Sequence, residues 1–386
     1  MERMERGFGR TLAALLTLGL TAARTDDPPI EWVDPATGHR VVRLSEQAGS
    51  QSLYFHQNAF APEGDKMVFT APGGLFTVEL KNRKVDRLTD RRANGVVVGR
   101  KGRHAYYRVG DTVYATNLDT RETRVVAKTP DEYSRGSGLS VNADDTLLAG
   151  SSIEPGSAPA EAPLRRRSLD ETFELHLPRL IYTIDVRTGE VKVIHRGKDW
   201  FNHVQFSPTD PGLILFCHEG PWHKVDRIWT VRADGSGLQK IHERTMEMEI
   251  VGHEFWNPDG KIVWYDQQTP KGKEFWLAGT VPATGDKARS KIERNHWSVH
   301  YNVSADGKLF AGDGGGPQMV ARAADGQWIY LFRPKDGTVE VERLVNLAKH
   351  DYKLEPNVMF TPDAKWVVFR SNMHGPSHVY GVEVAK

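Results

Sequence analysis

The sequence of 386 residues is poor in cysteine, in long apolar runs and in excess charge of either sign. Cys217 is the only cysteine, which excludes an internal disulfide and a cysteine metal cluster. No run of about 18 apolar residues occurs, so a membrane-spanning helix is not expected. The 51 basic and 50 acidic residues give a net charge of +1, which argues against a dedicated nucleic-acid-binding protein.

The residues that are plentiful favour turns and strands. The chain has 36 glycines, 21 prolines and 10 tryptophans, and it has few long stretches with helical periodicity. Its length suits one large domain or two ordinary ones. The composition therefore predicts a turn-rich β protein.

The N-terminus has the pattern of an export signal. Arg3, Arg6 and Arg10 precede the apolar run Thr11–Leu20, and small residues follow at 21–23. We therefore expect a signal peptide over residues 1–23, a mature chain from about Arg24, and a periplasmic or secreted protein. A frayed amphipathic helix is the alternative interpretation of the same residues.

A turn motif recurs seven times and each time precedes a short β-rich run. Its variants, of which Pro-Asp-Gly is the clearest, are Phe60–Gly64, Val98–Gly102, Val141–Asp145, Phe206–Asp210, Trp256–Gly260, Val303–Gly307 and Phe360–Ala364. In most units a second strand follows, and several end with a further turn and a closing strand. Regular repeats of antiparallel strands are typical of a β-propeller.

The repeats predict an all-β, seven-bladed propeller over residues 24–386. The segments Ile30–Asp34 and Val41–Leu44 read as outer strands that complete the blade begun at Phe360 and so close the ring. Two β-sandwiches are the competing fold, but no composition break marks a linker. The insertion between Ile153 and Leu180 is expected to hold a flexible stretch and then a short helix within 169–177, with Arg165–Arg167 in a solvated loop.

Polar residues that the scaffold does not require cluster where the later units begin. In a propeller the inner strands of all blades converge on one mouth of a central channel, so we expect these side chains to share a pocket. A single histidine there is more often a hydrogen-bonded filler, but several beside Glu and Arg indicate a site. The cluster comprises His203, His218, Arg227, His253, Glu254, His296, His300 and His350.

From Phe216 to Asp313, above all, the chain resembles the oligogalacturonate lyases, a family of propeller-shaped polysaccharide lyases. The resemblance rests on these strings: Phe216–Pro221 (Phe-Cys-His-Glu-Gly-Pro), Arg227–Trp229, His253–Trp256, Pro258–Gly260, His300 with Gly307, and Gly312–Gly314, with Tyr54, Phe55 and Gln57 near the start and Phe360–Asp363 near the end.

The resemblance implies β-elimination on a 4-linked uronide. It assigns His253 as the base that removes the C5 proton, Arg227 as the group that binds the uronate carboxylate, and His300 as the first metal ligand. His218, Tyr54 and Gln57 are expected to contact substrate. A metal and an arginine neutralise the carboxylate, which makes the C5 proton removable by a neutral histidine.

The metal site departs from the family pattern. Tyr352, Glu355 and Asn357 stand where the family has a glutamine and two histidines, and His350 is close enough in sequence to substitute. The predicted ligands are therefore His300, Glu355, Asn357 and His350. Such an oxygen-rich set suits a hard divalent cation, Mn²⁺ first and Ca²⁺ second. Loss of the metal, with arginine alone neutralising the carboxylate, is the alternative.

A different class of function is also compatible with these residues. A propeller without catalytic activity could bind a glycan or a protein through the same mouth. The lyase interpretation predicts an anionic oligosaccharide as the partner, with no nucleic acid and no membrane span, and it leaves the oligomeric state open.

Overall fold

The computed structural model describes residues 27–157, 167–321 and 323–386. The predicted signal peptide and residues 158–166 of the insertion lie outside this part of the chain. The described residues are nearly all strand and turn, with one α-helix, α1 (Leu169–Phe173), and two 3-10 helices, Asp131–Arg135 and Arg294–His296. Among the described helices, none has the length and apolar character needed to cross a membrane.

The short helix expected in the insertion is α1, and its boundary follows from its capping residue. The Ser168 hydroxyl accepts a hydrogen bond from the Glu171 backbone N–H, and the Glu171 carboxylate accepts one from the Ser168 N–H. This reciprocal capping box satisfies two otherwise unpaired donors at the start of the helix.

The strands are short, as the repeats predict. In chain order they are β1 Glu31–Val33, β2 Arg40–Arg43, β3 Lys66–Ala71, β4 Gly74–Glu79, β5 Val85–Thr89, β6 Asn94–Val98, β7 His104–Val109, β8 Thr112–Asn117, β9 Thr123–Lys128, β10 Ser140–Val141, β11 Leu147–Ile153, β12 Arg179–Asp185, β13 Val191–Gly197, β14 Trp200–Phe206, β15 Leu213–Glu219, β16 Ile228–Arg232, β17 Gln239–Lys240, β18 Ile250–Trp256, β19 Val263–Gln268, β20 Phe275–Thr280, β21 Lys287–Lys291, β22 Tyr301–Val303, β23 Phe310–Gly312, β24 Trp328–Lys335, β25 Thr338–Asn346, β26 Met359–Phe360, β27 Trp366–Ser371 and β28 His378–Glu383.

Within the described residues these strands form six sheets, and most of their pairings join strands that are neighbours in sequence. Four are antiparallel meanders: β3–β5, β6–β9, β10–β13 and β14–β17. A larger sheet contains two further meanders, β18–β21 and β22–β25, which a single parallel pair between Lys291 and Thr338 connects. The all-β prediction is therefore confirmed.

The sixth sheet contains both ends of the described chain. Its strand order is β1-β2-β28-β27-β26, and β2 runs antiparallel to β28 with Val41 opposite Val382. The N-terminal strands thus pair with the last meander, as the sequence predicts. Buried apolar side chains on both β2 and β28 cover this junction, and each such side chain contributes about 1.5–3 kcal/mol.

In most repeats the recurring turn follows the first strand of the meander and sets the start of the second, whereas the sequence placed it ahead of the first β-rich run. In the turn after β18, the Asp259 carboxylate accepts hydrogen bonds from the Lys261 N–H and the Asn257 side chain, and Gly260 has a φ of +69°. A Cβ on Gly260 would lie 2.1 Å from the Thr209 hydroxyl of the preceding repeat. Glycine is therefore required here by both conformation and space.

The first strands of the repeats, with the segments leading into them, surround one internal cavity of about 210 Å³. Each of the seven repeats contributes to its wall, through Phe60, Val97, Val141, Phe206, Trp256, Val303 and Phe360 among others. The ends of these first strands, where the turns open, therefore lie close together.

Candidate active site

Many of the candidate residues occupy the same position of the repeat. It lies three residues before the residue that opens each turn, and we call the seven residues at this position the mouth ring. They are Gln57, Gly95, Gly138, His203, His253, His300 and Asn357.

Several contacts connect members of the mouth ring. Leu139 N–H donates to the Gly95 carbonyl at 3.3 Å, and Gln57, Gly138 and His203 line one cavity of about 230 Å³. A side chain at Gly138 would collide with Gln57, since a Cβ there would lie 2.5 Å from its Nε2. The glycines therefore leave room on one side of the mouth, and the polar residues occupy the other.

Local backbone geometry orients the side chains of two of the histidines. His203 and His253 each lie in a β-bulge, where the pairing register shifts between Asn202 and Gln205 and between Gly252 and Phe255. Both have a φ of +48°, a conformation that costs a residue with a side chain about 1–3 kcal/mol. Two neighbouring repeats carry the same strained histidine, and such strain is concentrated at functional sites.

His253 forms a dyad with a buried carboxylate. Its Nδ1 lies 2.8 Å from Asp266 Oδ1, and its ring is 4.6 Å from the His300 ring, centroid to centroid. Burial opposes protonation of His253, but Asp266 outweighs this and raises the pKa of the imidazole above its usual value. With Nδ1–H held by Asp266, Nε2 is the atom that can accept a proton.

His300 forms a second dyad. Its Nδ1 is 2.6 Å from Asp313 Oδ2, while its Nε2 is 3.2 Å from the Tyr54 hydroxyl and 3.7 Å from Glu355 Oε2. A metal-binding histidine usually donates its other N–H to a carboxylate in this way. His300 Nε2 and the Glu355 carboxylate therefore form a credible pair of metal ligands.

Arg227 is fully buried between two carboxylates. Its Nη1 is 2.6 Å from Glu219 Oε1, its Nε is 3.0 Å from Glu254 Oε2, and its guanidinium lies on the Trp222 ring. Burial would raise the pKa of both carboxyl groups, but Arg227 lowers that of Glu219 to about 2 and holds that of Glu254 well below its usual range. Both carboxylates are therefore ionised.

His203 forms the third dyad, with Glu254. Its Nδ1 is 2.9 Å from Glu254 Oε1 and 3.4 Å from an Nη of Arg227. Among the described residues, the ligand atoms of His203, Cys217 and Glu254 lie within 4.8 Å of one another. A metal there would compete with the Arg227 guanidinium, and burial raises the pKa of the Cys217 thiol well above its usual value. We therefore assign no metal to this group.

The other predicted metal ligands are already engaged by protein atoms. The Nδ1 atom of His350 is hydrogen-bonded to the Ser371 hydroxyl, and its Nε2 atom is hydrogen-bonded to the Leu354 carbonyl. Asn357 accepts a hydrogen bond from the Phe55 N–H through Oδ1, which keeps a lone pair available. Tyr352 donates to the Asp313 carbonyl, and burial raises the pKa of its phenol well above the usual value.

The predicted substrate residues divide into two groups. Tyr54 and Gln57 line the cavity beside His203. His218 is on the opposite face of β15 from Glu219 and stacks on Trp229 with ring centroids 4.8 Å apart. His296 packs on Tyr330, away from the mouth ring. The structure thus brings together His253, His300, Tyr54, Gln57, Glu355 and Asn357 but not His218, His296 or His350.

Sequence inspection gave no role to Asp266 and Asp313, the carboxylates that hold His253 and His300. Both come from second strands or just after them, and Asp266 lies outside the strings that resemble the family. Glu254, which holds His203, was part of the predicted cluster but also received no role. His203 was recognisable as part of the cluster but received no role. Counting three residues back from each turn would have placed it opposite Gln57 and beside His253.

The β scaffold brings three histidine–carboxylate dyads to one mouth, together with the buried Arg227 and the ligand pair of His300 and Glu355. This arrangement defines an acid–base site suited to an anionic substrate. Comparison with known proteins specifies the class. The family described as oligogalacturonate lyase matches residues 30–386. The chain therefore belongs to the oligogalacturonate lyase family.

Individual relatives agree with this assignment. The chain is 28% identical over 381 residues to an oligogalacturonide lyase of Pectobacterium atrosepticum, covering 92% of this chain and 95% of the relative. A solved oligogalacturonate lyase in complex with manganese superposes with a TM-score of 0.80 at 26% identity, covering 92% and 96% of the two chains. A β-propeller domain from Myceliophteria thermophila, 11% identical with a TM-score of 0.55 over 87% and 97% of the chains, shares the fold.

Proposed function

We propose that this protein cleaves 4-linked uronic-acid oligosaccharides of the oligogalacturonate type by β-elimination. The observation that carries the proposal is the His253–Asp266 dyad, whose imidazole lies 4.6 Å from that of His300 in a mouth that also contains ionised and metal-ligating groups. Membership of the oligogalacturonate lyase family supports the same substrate class.

In this proposal His253 is the base. Asp266 accepts the Nδ1 proton of His253 and so fixes the tautomer in which Nε2 has a free lone pair. A histidine whose pKa lies near the working pH is an effective acceptor, and such general base catalysis contributes about 10²–10⁴-fold in rate. The C5 proton moves to Nε2, and the bond between C4 and O4 breaks.

Positive charge near the uronate carboxylate makes this proton transfer feasible. His300 and Glu355, with Asn357, would hold a divalent cation, with Mn²⁺ preferred and Ca²⁺ as the alternative, and a bound cation would neutralise the carboxylate. Arg227 supplies further positive charge at the same mouth. Because Arg227 already bonds to Glu219 and Glu254, direct contact with substrate requires one of those hydrogen bonds to be exchanged.

The scaffold proposed for this activity is a seven-bladed propeller over residues 24–386. The larger sheet is counted as two blades, and the sheet that pairs β2 with β28 closes the ring. The pattern of residues 1–23 supports export to the periplasm or beyond. Detection of the mature protein outside the cytoplasm, starting near Arg24, would test this part of the proposal.

A panel of uronides tests the function. Elimination creates a 4,5-unsaturated product that absorbs in the ultraviolet, so oligogalacturonate incubated with the protein and Mn²⁺ should give a rising absorbance. A propeller that only binds glycan or protein would give none. If no uronide in the panel produces the signal with Mn²⁺ or Ca²⁺ present, the lyase proposal is wrong.

A further inference from the structure

We propose that His203 is the catalytic acid that protonates the departing sugar oxygen, and this assignment rests on the proposed lyase function. Three observations support it: the position of His203 in the mouth ring, the charge balance around Arg227, and the stereochemistry of a galacturonate ring.

The first observation is geometric. His203 lies in the same repeat position as His253, on the neighbouring first strand, with the same bulge and the same φ of +48°. The two strands are joined by a hydrogen bond of 2.8 Å from Gln205 Nε2 to the Glu254 carbonyl. Glu254, which follows His253 in the chain, is also the residue that holds His203 Nδ1. His203 is therefore placed by the same backbone that places the base.

Solvent access distinguishes the three dyad histidines. The side chain of His203 is 13% exposed, against 8% for His253 and 0% for His300. His203 also borders the cavity of about 230 Å³ that Tyr54, Gln57 and Gly138 line. A sugar ring leaving from the mouth could therefore reach His203 Nε2 without rearrangement of the strands.

The second observation concerns charge. Glu219 and Glu254 are both ionised, and within the described ranges Arg227 is the one guanidinium or ammonium group that contacts them. The other groups facing His203 are the Tyr54 phenol and the His56 imidazole, and burial disfavours the charged form of both. The buried cluster of Glu219, Glu254 and Arg227 therefore contains two negative charges and one positive charge, and His203 Nδ1 contacts it through Glu254 at 2.9 Å. Glu254 occupies Nδ1, which leaves Nε2 as the ring nitrogen from which a proton is donated in the proposed step.

The third observation is chemical. In the usual chair of a galacturonate ring, the C5 hydrogen and O4 lie on opposite faces. A group that removes the proton from one face cannot deliver a proton to O4 on the other. A sugar alkoxide is also a poor leaving group, so a separate acid is needed for efficient bond cleavage.

The proposed elimination moves two protons and breaks one C–O bond. His253 Nε2 takes the C5 proton, and the electrons of the C5–H bond form the C4–C5 double bond. The C4–O4 bond breaks with its electron pair on O4, which takes the proton from His203 Nε2. The products are an unsaturated uronate end and a free hydroxyl, and solvent returns one proton to His203 and removes one from His253.

The test compares two leaving groups in the variant His203→Gln. One substrate is trigalacturonate, and the other is a galacturonate carrying a nitrophenyl ether at O4, whose nitrophenolate leaves without protonation. The acid assignment predicts a loss of about 10²-fold or more in kcat/KM on trigalacturonate and little loss on the nitrophenyl ether. A merely structural role for His203 would lower both rates equally, and that result would overturn the assignment.

Tyr54→Phe is the matched control, because Tyr54 is another potential proton donor beside the cavity. It should show no dependence on the leaving group, and a selective loss on trigalacturonate in this variant would transfer the acid role to Tyr54.

The melting temperature of each variant separates misfolding from chemistry, and His203→Asn provides a second substitution if His203→Gln folds poorly. Failure of the lyase function itself is distinguishable, since the wild-type protein would then release neither product.

Discussion

The two sides of the mouth ring differ in how buried their charges are. On the side of His203 and His253 lies Arg227, which is fully buried. On the side of His300 and Asn357 lies Glu355, whose side chain is 40% exposed. The first side contains internally paired charges, with Arg227 between Glu219 and Glu254. The second side contains one partly exposed carboxylate, that of Glu355, beside the buried side chains of His300 and Asn357. The first side thus holds paired buried charges, and the second contains the residues proposed to hold a divalent cation.

The two sides also differ in how closely they keep the family pattern. The strings that carry Arg227 and His253 resemble the oligogalacturonate lyases closely, but Tyr352, Glu355 and Asn357 replace residues of the family's metal set. Buried charge pairs tolerate little change, because removing one partner leaves an uncompensated charge. Ligands at an open site can be exchanged for other oxygen donors, since hard cations accept several of them.

The largest expected effect belongs to the base. His253→Gln should lower kcat/KM on oligogalacturonate by about 10³-fold or more. Among the described imidazoles of the mouth ring, only that of His253 is held by Asp266, so no other one can replace it as the base. The rate of ultraviolet absorbance increase measures it. An unchanged melting temperature would show that the loss is chemical, and retention of full activity would refute the assignment.

Part of this site was predictable from the sequence. The turn motif fixed the repeat, and the repeat placed His253 and His300 at the same position of successive units. The sequence could not show that both ring nitrogens of His350 are used within the protein, because the Ser371 hydroxyl and the Leu354 carbonyl reach it only through the fold. It also could not show that His218 stacks on Trp229 on the face of β15 opposite Glu219, because that contact comes from the pairing of β15 with β16.

A second prediction concerns stability. Arg227→Met should reduce the free energy of unfolding by about 3–5 kcal/mol, because Glu219 and Glu254 would remain buried without their cation. Arg370→Met is the control, since Arg370 bonds to carbonyl and amide oxygens and not to a carboxylate. Denaturant unfolding of both variants measures the difference. Equal losses would contradict the view that the first side depends on buried charge pairs.

A third prediction uses His218, which burial gives a pKa of about 4. The unfolded state binds this proton more readily, so wild-type stability should fall as pH decreases from about 6.5 to about 4, by roughly 3 kcal/mol for this group. His218→Phe, which keeps the stacking on Trp229, should remove that part of the pH dependence. Unfolding curves across this range give the result, and an unaltered slope would show that His218 is not buried in its neutral form.

The smallest effect is expected at the metal side. Asp313→Asn removes the carboxylate that orients His300 and should weaken Mn²⁺ binding by about 10–100-fold. His350→Gln should leave the affinity unchanged, because His350 has no free ring nitrogen in this structure. Titration calorimetry with Mn²⁺ distinguishes the two. A weaker affinity in His350→Gln than in Asp313→Asn would restore His350 to the ligand set.

The most direct test of the central claim is the mass of the products formed from trigalacturonate in the presence of Mn²⁺. Elimination yields one new end that is lighter by one water than the end left by hydrolysis. We predict this unsaturated product with the wild-type protein and its near absence with His253→Gln. Intact substrate, saturated products, or equal yields from the two proteins would contradict the account.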